Sequence, residues 1–385
     1  MNINKMTTVG VSGVVINRIF DMYTSIFGNQ NELPKKNIVV IGYGWAGKSF
    51  CDNINTKKYD VKVISKTNYM LNTPQLKNSL IDKESELLKI KPTKNNVEFI
   101  NDECNEIIKA RKTVVSNNKY YDYDYLVVAT GSEINDFGIP GIKEYCHFLK
   151  NEDDLKKLST NLKVKGEFNY ADNHIVHNQK IVIMGGGPVG IELAFELSKI
   201  NKNIIILEGL NTILPNFSDE ARNIVLKELE ESGIKLLLNN KVNKVDSSKI
   251  YSDEKSEKRE YNYDIAIWNC GIKPNKLISN ITHQNKLVTY DNFRIHNIDG
   301  ELNLNERQIY AIGDMSGKMP PTAQNAVQQG KYLAEYFNNN LEGKDYKFNE
   351  KGKIIHTKNS IILDTSYGVF NIPKFFETPI EYMLC

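Results

Sequence analysis

The chain has 385 residues, of which 41% are hydrophobic and 25% charged, with a formal net charge of +2. That size and mix describe a globular protein of two or three domains and give no electrostatic reason to expect a nucleic-acid partner. No apolar run reaches the roughly 18 residues that a membrane-spanning helix needs, so contact with a membrane is expected only from its surface. The five cysteines, Cys51, Cys104, Cys146, Cys270 and Cys385, have neither CxxC nor metal-ligand spacing. A reducing compartment and no metal centre are the expectation.

Residues 1–35 form an N-terminal extension. Val11, Val14, Val15, Ile19, Met22, Tyr23, Ile26 and Phe27 recur at helical spacing around Arg18 and Asp21, which reads as a short amphipathic helix. It is a membrane-surface element, part of a targeting sequence poor in basic residues, a helix packed on the domain or a loosely ordered tail. The first convincing strand, residues 37–41, runs into Gly42-Tyr43-Gly44-Trp45-Ala46-Gly47. This is a complete GxGxxG, in which small residues permit a tight turn, close approach of a pyrophosphate and close helix packing. Its second strand, residues 61–64, ends in Ser65, eighteen positions past Gly47, where a carboxylate is usual. A serine hydroxyl can still bond a ribose.

An aromatic and amide-rich loop, residues 68–76, precedes a lysine- and glutamate-rich helical segment, residues 82–89. Strands are expected at 97–100 and 113–115, and a buried strand from Tyr123 is stopped by Thr130-Gly131. The first nucleotide-binding part is drawn over residues 36–150. Residues 150–178 are polar and weakly patterned and read as a domain connection. The stretch from Ile181 repeats the plan: a four-residue apolar strand, then Gly185-Gly186-Gly187-Pro188-Val189-Gly190, then a helix-forming run. Here the second strand ends in Glu208, again eighteen positions past the last glycine. A carboxylate there accepts from a ribose 2′-hydroxyl and repels a 2′-phosphate, which predicts NAD(H) over NADP(H).

A helix is expected at 219–232 behind the N-cap Ser218, and a strand at 265–268 closes in Cys270-Gly271 as the earlier one closed in Thr130-Gly131. Residues 151–285 are therefore the second nucleotide-binding domain, and the fold class is α/β with two Rossmann-like domains. Residues 286–344 return to the first domain through a strand ending in Gly313-Asp314, whose acid can bond ribityl hydroxyls. Pro320-Pro321-Thr322 then opens a helix on which Gln324 and Gln328 share a face. Two amides on one face suit either a carbonyl acceptor or solvent. Residues 345–385 are a short C-terminal segment in which Pro373 and Pro379 interrupt any helix.

With these residues in view the chain resembles the type II (alternative, rotenone-insensitive) NADH dehydrogenases, single-subunit NADH:quinone oxidoreductases. The motifs that carry the resemblance are Asn68-Tyr69 with Thr73-Pro74, the stretch from Tyr123 to Gly141, Gly185 to Glu192, Ala311 to Asp314, and above all PPTAQNAVQQGKYLA from Pro320. The resemblance implies non-covalent FAD on Gly42, Gly44, Trp45, Ala46, Gly47, Ser65, Lys66, Thr130, Gly131, Asp314 and Ala323. It implies diffusible NADH on Gly185, Gly187, Pro188, Gly190, Glu208 and Gly271. Glu192 falls near nicotinamide and flavin, and Gln324 and Gln328 fall at the quinone, so these three are the catalytic candidates. Implied with them are a quinone substrate, hydride transfer without proton pumping, a peripheral site on the mitochondrial inner membrane in a eukaryote or the cytoplasmic face of a bacterial one, and a homodimer. Rival readings are a disulfide reductase, a sulfide:quinone oxidoreductase, which both need reactive cysteines at the flavin, and an apoptosis-inducing-factor-like FAD and NADH-binding protein of low turnover.

Overall fold

The computed structural model describes residues 34–81, 88–92, 96–162, 179–277, 288–290, 294–296, 308–316, 320–339 and 345–374. The expected amphipathic helix near the N-terminus and Cys385 lie outside the described residues.

Five strands make the parallel core of the first domain: β1 (Lys36–Ile41), β2 (Tyr59–Ser65), β3 (Glu98–Asn101), β4 (Tyr125–Val128) and, from far along the chain, a strand at Ile309–Ala311. Their order in the sheet is β3-β2-β1-β4 followed by Ile309–Ala311, with an antiparallel pair, Val288–Tyr290 and Arg294–His296, beyond it. β1 sits between two parallel neighbours, so its last four residues are all buried, which explains the unbroken apolar run. The second domain repeats the arrangement with β5 (Ile181–Met184), β6 (Ile204–Leu207), β7 (Lys235–Leu237) and β8 (Ile265–Trp268), ordered β7-β6-β5-β8 and all parallel.

The copies agree in detail. Gly42 N–H donates to the carbonyl of Ile64 at 2.9 Å, and Gly185 N–H donates to that of Leu207 at 2.8 Å. Ala129 N–H reaches Ile41 and Asn269 N–H reaches Met184, both at 2.8 Å. Each fourth strand then turns through a glycine at φ 68°, Gly131 and Gly271. The segments that follow, Ser132–Ile134 and Ile272–Pro274, pair with each other as an antiparallel ribbon joining the domains.

Helix α1 (Trp45–Asn53) follows the first glycine loop and packs against the long helix Ala323–Asn339, because Gly330 removes the side chain that would separate them. Residues 152–161, expected to be connection, form a helix capped by Asn151, whose side chain accepts from Asp154 N–H. Its sparse apolar pattern concealed it, although Leu158 is fully buried; residues 163–178 of the expected connection lie outside the described ones. Of the expected helix at 82–89, residues 82–87 are not described, and Lys89–Ile90 instead form a short strand paired with Met70–Leu71. The C-terminal segment is a three-stranded antiparallel sheet, Lys353–His356, Ser360–Thr365 and Gly368–Pro373. Ile355 and Ile362 enter the apolar core of the second domain, as do Leu76 and Leu80 of the first. The three parts therefore share one buried cluster. No helix among the described residues is long and apolar enough to cross a membrane.

Candidate active site

Both glycine loops are built alike. Gly42 (φ 95°) and Gly185 (φ 113°) occupy backbone conformations that side-chain-bearing residues rarely adopt. A Cβ on Gly47 would lie 2.2 Å from the carbonyl oxygen of Gly42, and one on Gly190 would lie 2.1 Å from that of Gly185. The helix therefore rests directly on the turn. At Gly44 and Gly187, by contrast, a Cβ would meet nothing within 4 Å. Bare backbone faces open space there, at the N-terminus of α1 and of the helix at Pro188–Leu197, where free N–H groups favour an anion. Pro188 starts the latter helix and gives up no needed donor.

The first loop opens on a cavity of about 730 Å³. Its wall runs from Ser65, Lys66 and Asp102, past Gly42 to Ala46, to Thr130, Gly131 and Asp314. Trp45 Nε1 and Thr130 Oγ1 are buried polar atoms without a protein partner on that wall. Orphaned donors at a bare-backbone cradle fit a bound dinucleotide, since such groups are rarely left unsatisfied. Asp314 lies in the short 3₁₀ turn Gly313–Ser316 and accepts from Ser132 Oγ at 2.7 Å. Ser132 in turn accepts from Lys150 Nζ at 2.9 Å. Burial lowers the pKa of Lys150, and the charge on Asp314 opposes that shift. This Lys150-Ser132-Asp314 chain was not visible in the sequence, because 182 positions separate the serine from the aspartate. Gln329, fully buried, accepts from Gly313 N–H at 2.7 Å and fixes the same turn.

On the second loop, Glu208 accepts from Gly186 N–H at 2.6 Å and from Leu210 N–H at 2.7 Å. Its carboxylate is thereby held at the tip of β6 beside the glycines. Glu208→Arg is expected to weaken NADH binding about tenfold and bring NADPH within reach, measured as the ratio of the two affinities. An unchanged ratio would remove Glu208 from the ribose.

Glu192 does not line the 730 Å³ cavity. It bridges three parts of the molecule: Oε2 lies 3.0 Å from Lys77 Nζ, and Oε1 accepts from His356 N–H at 2.9 Å. Gln324 and Gln328 are not free amides on an open face. Gln324 Oε1 accepts from Lys351 N–H at 2.9 Å, and Gln328 exchanges two bonds with the backbone of Asn349, 2.9 Å and 3.0 Å. They pin the extended segment at 345–351 along the helix, as a β-strand neighbour would. Ala323 is outside the cavity wall, and Ala326, nearly one turn on, is in it.

Among the described residues the cysteines do not form a disulfide pair. Burial pushes the thiols of Cys104, Cys146 and Cys270 up to about 12, because a low-dielectric surrounding disfavours the thiolate. None of the four described cysteines is in a disulfide, and no three His, Cys, Asp or Glu side chains among the described residues could hold a metal. Alkylation with iodoacetamide at pH 8 is expected to leave NADH oxidation within about twofold of untreated protein. Rapid loss of turnover with labelling of Cys270 would instead support a thiol mechanism.

Comparison with known proteins agrees with this fold. The chain is 28% identical over 354 residues to an external alternative NAD(P)H-ubiquinone oxidoreductase B3, mitochondrial, of Arabidopsis thaliana, covering 80% of this chain and 59% of that protein. The chain thus spans less than two thirds of that plant relative. It is 26% identical over 358 residues to a type II NADH:quinone oxidoreductase of Staphylococcus haemolyticus, covering 83% and 87%. Among solved structures, NDH2 from Plasmodium falciparum in complex with NADH shares the fold, with a TM-score of 0.78 at 22% identity over 91% of this chain and 94% of that one. Residues 36–330 match the model of the pyridine nucleotide-disulphide oxidoreductases, and the chain belongs to that family.

Proposed function

We propose that this protein is an FAD-dependent NADH:quinone oxidoreductase that converts NADH, a proton and a quinone to NAD⁺ and the quinol. The observation that carries the reading is the pair of matching glycine cradles, each open at its second glycine, whose fourth strands are joined by the Ser132–Ile134 and Ile272–Pro274 ribbon. The first cradle would hold FAD and the second NADH. FAD, when bound, supplies the chemistry of taking a hydride from a dihydronicotinamide and returning two electrons to a quinone.

The chain's own residues bind and orient. Gly42, Gly44 and Gly47 with Trp45 and Ala46 seat the flavin pyrophosphate, Ser65 and Lys66 its adenosine, and Thr130, Gly131 and Asp314 its ribityl end, with Ser132 and Lys150 steadying Asp314. Gly185, Gly187, Pro188 and Gly190 seat the NADH pyrophosphate, Glu208 the adenosine ribose and Gly271 the nicotinamide half. Glu192 contributes a fixed carboxylate whose charge Lys77 holds in place. Gln324 and Gln328 shape the acceptor side through the segment they pin, with Ala323 at the start of the same helix. The relatives' names support a quinone acceptor and, for the eukaryotic ones, a mitochondrial setting; a lipid-soluble quinone would be met from the membrane surface, by a homodimer of this chain.

The test is a purified sample, its flavin spectrum, and NADH oxidation with and without a short-chain quinone. A yellow protein bleached by NADH and re-oxidised by the quinone is expected. Absence of flavin would end the reading. Bleaching without re-oxidation would favour an FAD and NADH-binding signalling protein.

A further inference from the structure

Phe137 is 60% exposed, yet it is not on a loose loop. Its turn is fastened from several sides. Trp268 Nε1 donates to Asn135 O at 2.9 Å, Asn135 N–H reaches Gly271 O at 3.2 Å, and Phe137 N–H closes on Asn135 Oδ1 at 3.0 Å. Asp136 is paired with Lys143 at 2.9 Å and faces Lys273 at 3.8 Å, and Lys143 holds its carboxyl below the usual range. The price of this fastening is a φ of 51° at Phe137, in the left-handed region that bulky side chains avoid. Strain of this kind points to a site when the surroundings enforce it.

The ring lies over Gly271: a Cβ on that glycine would be 2.6 Å from Phe137 Cζ and 2.9 Å from Cε2. Its aromatic neighbour is Trp268, edge to face at 6.4 Å between ring centroids. Glu208, at the end of β6, marks the adenosine half of the cleft. In the sheet order β7-β6-β5-β8, the end of β8 is on the opposite side of the pyrophosphate loop. Gly271 and the ring above it therefore border the nicotinamide half, and the ring is delivered by the flavin domain's own segment.

We infer that Phe137 is a positioning residue for the nicotinamide, offering the face of its ring to the pyridinium of NAD⁺ and to the dihydropyridine of NADH. The inference deepens the proposed function and rests on it. A flat, partly cationic heterocycle gains from an aromatic face what an aliphatic side chain of equal bulk does not supply.

The test is calorimetric titration of the holoprotein with NAD⁺, which binds without turnover, together with steady-state NADH kinetics and melting curves. Phe137→Leu is expected to weaken NAD⁺ binding about tenfold and to raise KM for NADH with little change in kcat. Phe137→Tyr is expected to bind NAD⁺ within about twofold of the parent. Phe137→Leu binding NAD⁺ as tightly as the parent would overturn the inference. Equal loss in the leucine and tyrosine variants, tracking a fall in melting temperature, would also overturn it, since the ring would then be a structural plug. A parent protein that binds no NAD⁺ fails differently, by removing the proposed function itself.

Discussion

Replacing Lys77 by methionine is expected to destabilise the folded chain by about 3–5 kcal/mol, the usual cost of leaving one partner of a buried ion pair alone. The Lys77 side chain is 6% exposed and that of Glu192 13%. Lys77 sits between Leu76 and Leu80, both in the core shared by the two domains and the C-terminal sheet. Without its ammonium, the Glu192 carboxylate keeps the N–H of His356 but loses its counter-charge. The measurement is the urea midpoint followed by tryptophan fluorescence. A double variant, Lys77→Met with Glu192→Gln, should recover at least half of the loss, because the uncompensated charge is gone. A single-variant loss below about 1 kcal/mol would place the pair among solvent-screened ones.

The second large effect is expected at Gly330. A Cβ there would lie 2.3 Å from the carbonyl oxygen of Ala46 and 2.8 Å from the amide nitrogen of Phe50, both backbone atoms of α1. Backbone within a helix cannot yield as a flexible side chain can, so the helices must separate. Gly330→Ala should cost about 3 kcal/mol, the upper end of overpacking effects. It should also lower flavin content, since Ala46 and Ala326 line the cavity on either side of that crossing. Gly44→Ala makes the contrast. Its Cβ meets no protein atom within 4 Å, so the flavin-free variant should melt within about 0.5 kcal/mol of the flavin-free parent while its flavin affinity is lost. Equal stability of the two variants would contradict the packing at Gly330, and full flavin retention in Gly44→Ala would contradict the cradle.

These cases separate what can be read along the chain from what cannot. The glycine loops, the apolar strands before them, the N-cap Ser218 and the acid at Glu208 obey requirements that act within about thirty residues: backbone conformation, helix capping, strand burial. They were legible, and so was the α/β class with two nucleotide-binding parts. The correspondence of Thr130-Gly131 with Cys270-Gly271 was also legible, but not that the segments after them pair as a ribbon.

Side-chain partners set by the assembled sheets were hidden. Gln324 and Gln328 share a helix face as expected, yet that face is covered by the chain near Asn349 and Lys351, whose backbone offers amides the matching donors and acceptors. Lys150 had no pattern to mark it, because its role depends on Ser132 and Asp314 arriving from two distant strand ends. Periodicity says which face of an element is apolar and leaves open what lies against it. The sequence by itself determined the two strand, glycine-loop and helix units, and it placed the acid of Glu208 at the end of the second unit's second strand. Only the tertiary structure decided that Glu192 is clamped by Lys77, that the glutamine amides are spent on the chain's own backbone, and that Phe137 is held over Gly271, since each of these contacts exists only once separate elements pack.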